Sequence, residues 1–373
     1  MTASLIFGQN GYATGRPVGK LSPASGSYWG TYTSYGIANR ESLIGRKFVI
    51  HQKYYDFTNT FPGSSEQDDI VNGRIPLDTW QPQLAGGAQL TANEDAAIAA
   101  GTYDSTIITR AQAIKTFGHP IFIRFGHEMN GNWYPWSANN NNNDPSQYVA
   151  AWRHVHDIFV QQGATNAVWV WCPNIEDAPN QAWNHWTNYY PGDSYVDWVG
   201  IDGYNWGDTQ SFSSWKSFAN AFGNGTSGVY NDYATVKPIM IAETASAESG
   251  APVGTSKGQW ITDMAASIQS TFPNVEAFVW FDTTSVTNDK QWPIDTSAGS
   301  QSAYVSAGQL SFFNPTVNYG KTGDLNLDGQ INIDDLSRLL SDWGATNNSV
   351  SDLNHNNNVT ITDLSILLTN WGT

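Results

Sequence analysis

Cysteine is nearly absent from these 373 residues: Cys172 is the only one, so no intramolecular disulfide can form. It lies in the apolar run AVWVWCPN and reads as a buried, inert thiol rather than a nucleophile. Basic side chains are scarce as well. Seventeen Lys and Arg stand against 33 Asp and Glu, and a net charge of −16 repels phosphate backbones and anionic membrane surfaces, which argues against nucleic acid as a partner. No apolar stretch approaches the roughly 18 residues of a membrane span. The opening MTASLIFGQNG lacks the basic and long apolar regions of a signal peptide, as expected of the mature form of a secreted or cell-surface protein. Aromatics, by contrast, abound. Seventeen Trp and 17 Tyr exceed what a core of this size requires, and such flat amphipathic rings suit stacking on sugar faces as well as packing.

Strand-like apolar runs recur at 4–8, 47–52, 74–80, 120–125, 167–172, 195–202, 237–242 and 275–281, with helical patterns between several of them, clearest at 104–118, 144–163 and 258–272. Eight such units over residues 1–310 predict an α/β fold, a (β/α)8 TIM barrel, whose catalytic residues belong at the C-terminal ends of the strands. A linker at 311–322 follows. Residues 323–373 then form a separate all-α module built on an internal repeat: 324–344 and 352–372 match at 11 of 21 positions with a 28-residue offset.

Glu128, in RFGHEMNGNWYPW, falls just past the fourth strand, and Glu243, in IAETAS, just past the seventh. A closed barrel brings both to one rim despite 115 residues of separation. Two carboxylates facing one site are the minimal apparatus of glycoside hydrolysis: one stays protonated to release the leaving oxygen, and the other attacks or activates water. Glu128, beside Trp133, Tyr134 and Trp136, is the one whose proton desolvation should retain. His127 next to it is a candidate ligand of a sugar hydroxyl. Neither glutamate lies in a His-rich ligand pattern, so no metal or other cofactor is expected for catalysis.

Together, RFGHEMNGNWYPW, YYPGDSYVDWVGIDGYNWG (189–207), KPIMIAETASAESG (237–250) and VEAFVWF (275–281) resemble glycoside hydrolase family 26 over nearly all of residues 1–310. The resemblance implies a secreted retaining endo-β-glycanase with Glu128 as general acid/base and Glu243 as nucleophile. It also implies that His127 and Tyr204 line the cleavage subsite, Tyr204 bonding the nucleophile, with Trp133 and Trp280 as sugar platforms and Trp136 and Trp206 alongside. The stretches NWYPW, TQSFSSWKSF and ETASAESG are more similar to the lichenase branch, which cleaves β-1,3-1,4-glucan, than to the β-1,4-mannanases of the family. A rival from another class, a non-catalytic glycan-binding scaffold, has both glutamates against it.

The C-terminal repeat spaces oxygen side chains as in an EF-hand loop. Asp324, Asn326, Asp328, the Gln330 carbonyl, Asn332 and Asp335 form one set, and Asp352, Asn354, Asn356, the Asn358 carbonyl, Thr360 and Asp363 the other. Two Ca²⁺ sites are expected, the second weaker because it carries fewer carboxylates. The module resembles a type I dockerin, which implies a cohesin-type protein partner. Loop positions 10 and 11 depart from the hydroxyl pair of cellulosomal dockerins, being Ile333 and Asp334, then Ile361 and Thr362.

Overall fold

A computed structural model describes residues 16–284, 291–317, 322–325, 331–346, 351–354, 356 and 358–372. Eight parallel strands close into a barrel in sequential order: β1 (Tyr28–Thr33), β2 (Ile50–Asp56), β3 (Ile75–Gln81), β4 (Ile121–Phe125), β5 (Ala167–Trp171), β6 (Trp198–Asp202), β7 (Ile239–Thr244) and β8 (Val275–Asp282). Closure is by β1 on β8, in register from Tyr28 opposite Ala277 to Thr33 opposite Asp282. Seven strands fall where the apolar runs put them. The first does not: β1 is Tyr28–Thr33, interrupted by Gly30 and unmarked by an apolar run, whereas 4–8 lies outside the described residues.

Alternation along the strands sorts side chains into two layers. Ile50, Leu77, Phe122, Val168, Val170, Trp198, Met240, Ala277 and Val279 fill the barrel, while Ile121, Ile123, Trp169, Ile239, Ile241 and Phe278 face the surrounding helices. Gly200 is required by this interior, since a Cβ there would sit 2.8 Å from the side chain of Cys172. The helices Asp104–Phe117, Pro145–Gln162 and Lys257–Ser270 match the periodic segments; the second opens with Asp144 accepting from the Ser146 N–H at 3.1 Å and Pro145 in the first turn.

The described parts of the C-terminal segment hold two short helices, Ile333–Ser341 and Ile361–Thr369, around a small core of Leu325, Ile331, Leu339, Val359 and Leu367. Arg338 touches the barrel side, donating to Gly163 O at 3.0 Å and Thr165 Oγ1 at 3.2 Å.

Candidate active site

Toward the C-terminal ends of the strands, the inward positions change from apolar to polar. Gln52 and Tyr54 follow Ile50 on β2, Thr79 and Gln81 follow Leu77 on β3, and Arg124 follows Phe122 on β4. Above them opens a cleft of about 740 Å³ whose wall includes both Glu128 and Glu243.

Glu128 sits in the turn after β4 with φ of 52°, the left-handed region that costs a non-glycine residue about 1 kcal/mol. The turn is fixed by the Glu128 N–H, which donates to the Cys172 carbonyl at 2.7 Å. Its carboxyl accepts from Trp133 Nε1 at 2.7 Å and from Asn174 Nδ2 at 2.9 Å. Asn174 is itself braced by Asn130, whose side chain bonds both its N–H, at 2.8 Å, and its carbonyl, at 3.0 Å. Burial, reinforced by the charge of Glu243, raises the Glu128 pKa to about 7; the two donors oppose this and are outweighed.

Glu243 reaches the cleft through an irregularity. Met240 and Ala242 point into the barrel and Ile239 and Ile241 away from it, so strict alternation would turn Glu243 toward the helices. The β6–β7 register shifts at this point, from Ile201 opposite Ile241 to Asp202 opposite Glu243, and the extra residue swings the carboxylate into the mouth. There it accepts from the hydroxyls of Tyr54 and Tyr204, and from Arg124 Nη2 at 2.5 Å. Burial and the nearby Glu243 charge push both phenols well above the ordinary tyrosine range, so they remain donors.

Arg124 is fully buried and also bonds Asp202 (2.8 and 2.9 Å), Thr79 Oγ1 (3.0 Å) and the Tyr54 hydroxyl (3.0 Å). His127, Asp202 and Glu243 bring ligand-type atoms within 4.8 Å of one another, the spacing of a metal site. The guanidinium already bonds two of these three groups and supplies the positive charge a metal would bring. His127 is held neutral by burial and Arg124, but its Nε2 is engaged with the Tyr134 hydroxyl at 3.1 Å.

Of the aromatic positions singled out in the sequence, Trp133, Tyr204 and Trp206 line the cleft, and Trp133 is 47% exposed. Gly131 lets the Trp133 ring fold onto the backbone, since a Cβ there would lie 2.5 Å from the indole. Three expectations need correction. Trp280 is fully buried, pointing outward from β8 between Trp260 and Tyr304, and cannot present a face to a sugar. Trp136 is also buried, stacked on Tyr134 and donating to the His127 carbonyl at 2.7 Å. His127 itself lies behind the wall, shielded by Tyr134 and Tyr54. The faces presented instead are Phe281, the inward neighbour of Trp280, and Tyr32; Trp292 touches the wall but is only 2% exposed and backs Tyr204. Period-two alternation along β8 could have singled out Phe281 over Trp280; Trp292 lies in a loop that no periodicity marks.

In the C-terminal segment, Asp335 and Asp363 close their respective loops. The carboxylate of Asp335 accepts from the N–H groups of Leu325 (2.6 Å) and Asn332 (2.8 Å), and that of Asp363 from Asn354 (3.2 Å) and Thr360 (2.8 Å). Asp324, Asp352, Asn356 and Asn358 lie in the same two loops. Asn326, Asp328 and Gln330 fall outside the described residues.

Residues 91–230 match the model of "Glycosyl hydrolase family 26". Endoglucanase H of Acetivibrio thermocellus is 37% identical over 298 residues, which are 78% of this chain and 31% of that protein. A mannan endo-1,4-beta-mannosidase of Bacillus subtilis is 30% identical over 105 residues, 27% of each chain. The chain thus spans less than a third of either relative's length. Among solved structures, a β-mannanase from Bacteroides ovatus superposes with a TM-score of 0.56 at 17% identity, over 77% of this chain and 89% of its own.

Proposed function

We propose that the barrel, which belongs to glycosyl hydrolase family 26, is a retaining endo-β-glycanase acting on β-1,3-1,4-glucan. The observation that carries this is the pair Glu128 and Glu243 on the wall of one aromatic cleft, with opposite surroundings. Among the described residues Glu128 accepts from two neutral donors, and burial with the Glu243 charge raises its pKa to about 7, as suits a general acid. Glu243 faces a guanidinium and two phenols, the surroundings of a nucleophile held in place. In the first half-reaction Glu243 attacks the anomeric carbon as Glu128 passes its proton to the departing oxygen; in the second, Glu128 takes a proton from water, which displaces Glu243. Trp133, Tyr204 and Trp206 serve as sugar contacts in this reading.

Glucan is favoured over mannan because the similarity to Endoglucanase H runs through 78% of the chain and that to the mannosidase through 27%. The test is reducing-sugar release from barley β-glucan, glucomannan and galactomannan, with Glu243→Ala as control. Release from β-glucan alone, lost in the variant, is the expected result. Release from galactomannan transfers the reading to a mannanase with the same machinery, and glycan binding without release favours a scaffold. A polymer substrate of this size puts the enzyme's work outside the cell.

Residues 323–373 are proposed as a calcium-binding dockerin-like module; of the linker expected at 311–322, Ser311–Phe313 belongs to the barrel instead, with Phe313 buried against Trp29 and Phe278. The repeat supports this, as do apolar side chains exposed in duplicate: Ile333, Leu340 and Trp343 on one half, Ile361, Leu368 and Trp371 on the other. An apolar face of this kind suits a cohesin-type protein surface, and retention of the chain on an immobilised cohesin, lost with a chelator, tests it.

A further inference from the structure

Among the described large apolar side chains of the cleft wall, two are well exposed: Trp133 at 47% and Phe212 at 78%. Trp133 has a task in its bond to Glu128. Phe212 has no polar atom to bond either carboxyl, and a phenyl group left in water forgoes the stabilisation that burial would give it. Single exposed apolar side chains are ordinary on a protein surface, but this one stands on the wall of a cleft and is presented by a loop with little freedom.

That loop, residues 207–216 after β6, is pinned at both ends by one buried side chain. Asn205 Oδ1 accepts from the Gly207 N–H at 3.3 Å and the Lys216 N–H at 2.9 Å, while its Nδ2 donates to Ser246 Oγ at 2.9 Å. Within the loop, Ser213 Oγ donates to the Gly207 carbonyl at 2.8 Å and Thr209 Oγ1 to the Trp206 carbonyl at 2.7 Å. Gly207 has φ of 56°, and a Cβ there would lie 2.1 Å from the Ser249 carbonyl, so the loop starts at a point of fixed geometry. Compact surface loops closed on themselves in this way frequently carry function.

The loop also continues a series of rings that begins at Glu243. Tyr204, which bonds that carboxylate, has its ring centroid 5.7 Å from that of Trp206, and Trp206 lies 6.2 Å from Phe212 with planes at 69°. Buried Trp292 backs the first two, at 4.2 and 4.6 Å. Tyr204 and Trp206 are half-buried and Phe212 largely uncovered, so the series climbs from the nucleophile toward solvent. Flat apolar rings spaced along a cleft fit the C–H faces of successive sugars.

We propose that Phe212 is the platform of a distal subsite, stacking on a glucose unit of a β-glucan chain beyond the units held at the two glutamates, and so adding affinity for long chains. The inference rests on the glycanase reading of the cleft.

The test uses mixed-linkage gluco-oligosaccharides of three and six units. Their binding is measured by calorimetry to the full chain carrying Glu243→Ala, which prevents hydrolysis, with and without Phe212→Ala. The factor by which the longer chain outbinds the shorter should shrink about fivefold on loss of Phe212, the scale of one aromatic contact. KM on barley β-glucan, measured with Glu243 intact, should rise in the same direction, and Phe212→Trp should keep both near their original values. A merely structural Phe212 would weaken both lengths alike, so a factor that Phe212→Ala leaves unchanged overturns the proposal, as does one that Phe212→Trp reduces equally. A length preference that depends on Phe212, with no turnover by the unsubstituted chain, would sink the glycanase reading and keep the platform. Turnover with a length preference indifferent to Phe212 would do the reverse.

Discussion

Replacing Glu128 by Gln should make the protein more heat-stable at alkaline pH than at acid pH relative to wild type, and the size follows from the environment of the carboxyl. Its pKa rises from an ordinary 4.5 to about 7 on folding. The native state therefore keeps a proton on Glu128 between those values while the unfolded chain has released it, and stability falls as pH climbs through that window. At 1.36 kcal/mol per unit the total is about 3 kcal/mol, undiscounted because the residue is only 6% exposed. Glutamine does not titrate and escapes this loss. It must set an amide NH₂ against Trp133 Nε1–H or Asn174 Nδ2–H, but a protonated glutamate meets the same conflict with its O–H, so the two proteins should melt alike near pH 4. Melting temperatures of both, taken by calorimetry from pH 4 to 8, should diverge by about 5 °C in favour of the variant. A difference that stays flat, or that favours wild type at pH 8, refutes the claim that a buried carboxyl is held protonated there.

Two further outcomes follow from other contacts. Trp133→Phe keeps an aromatic face but removes the 2.7 Å donor to Glu128 Oε2, a bond that favours the ionised form. The alkaline limb of kcat/KM, set near pH 7 by loss of the acid proton, should move upward by up to about one unit, and an unmoved limb would deny that contact any influence. Chelation of calcium should melt the C-terminal segment, whose described core comprises only five buried apolar residues, and leave the barrel's transition and glycan hydrolysis unchanged. Loss of hydrolysis on chelation would place the metal in the wrong domain.

The barrel was legible where strands bury both faces, because such strands read as continuous apolar runs with helical periodicity between them. It was least legible where strands feed the site. The apolar pattern marks β2 at 47–52, but the strand runs to Asp56, since its inward Gln52 and Tyr54 serve the cleft and break that pattern. β1 carries Gly30 where the barrel interior is tight, a Cβ there meeting Ile50 at 2.9 Å, and a glycine in a short aromatic run gives no strand signal. Both glutamates were found by type and position, yet the register shift that turns Glu243 inward has no signature in the letters around it. Arg124 stood inside the motif quoted for Glu128. Its importance is visible only when four strands converge on its guanidinium.

That convergence gives the two glutamates different surroundings. The two carboxyl groups are almost equally buried, 6% and 5% exposed, so desolvation alone would treat them alike. Arg124 separates them, because the closed barrel aims its side chain at Asp202 and Glu243 rather than at the turn carrying Glu128, four residues further along its own chain. A guanidinium lies against one carboxyl and neutral amide and indole donors against the other, and burial with the neighbouring charge raises the Glu128 pKa to about 7. The division of labour proposed for the pair, acid at Glu128 and nucleophile at Glu243, would thus rest on a third residue that performs neither step.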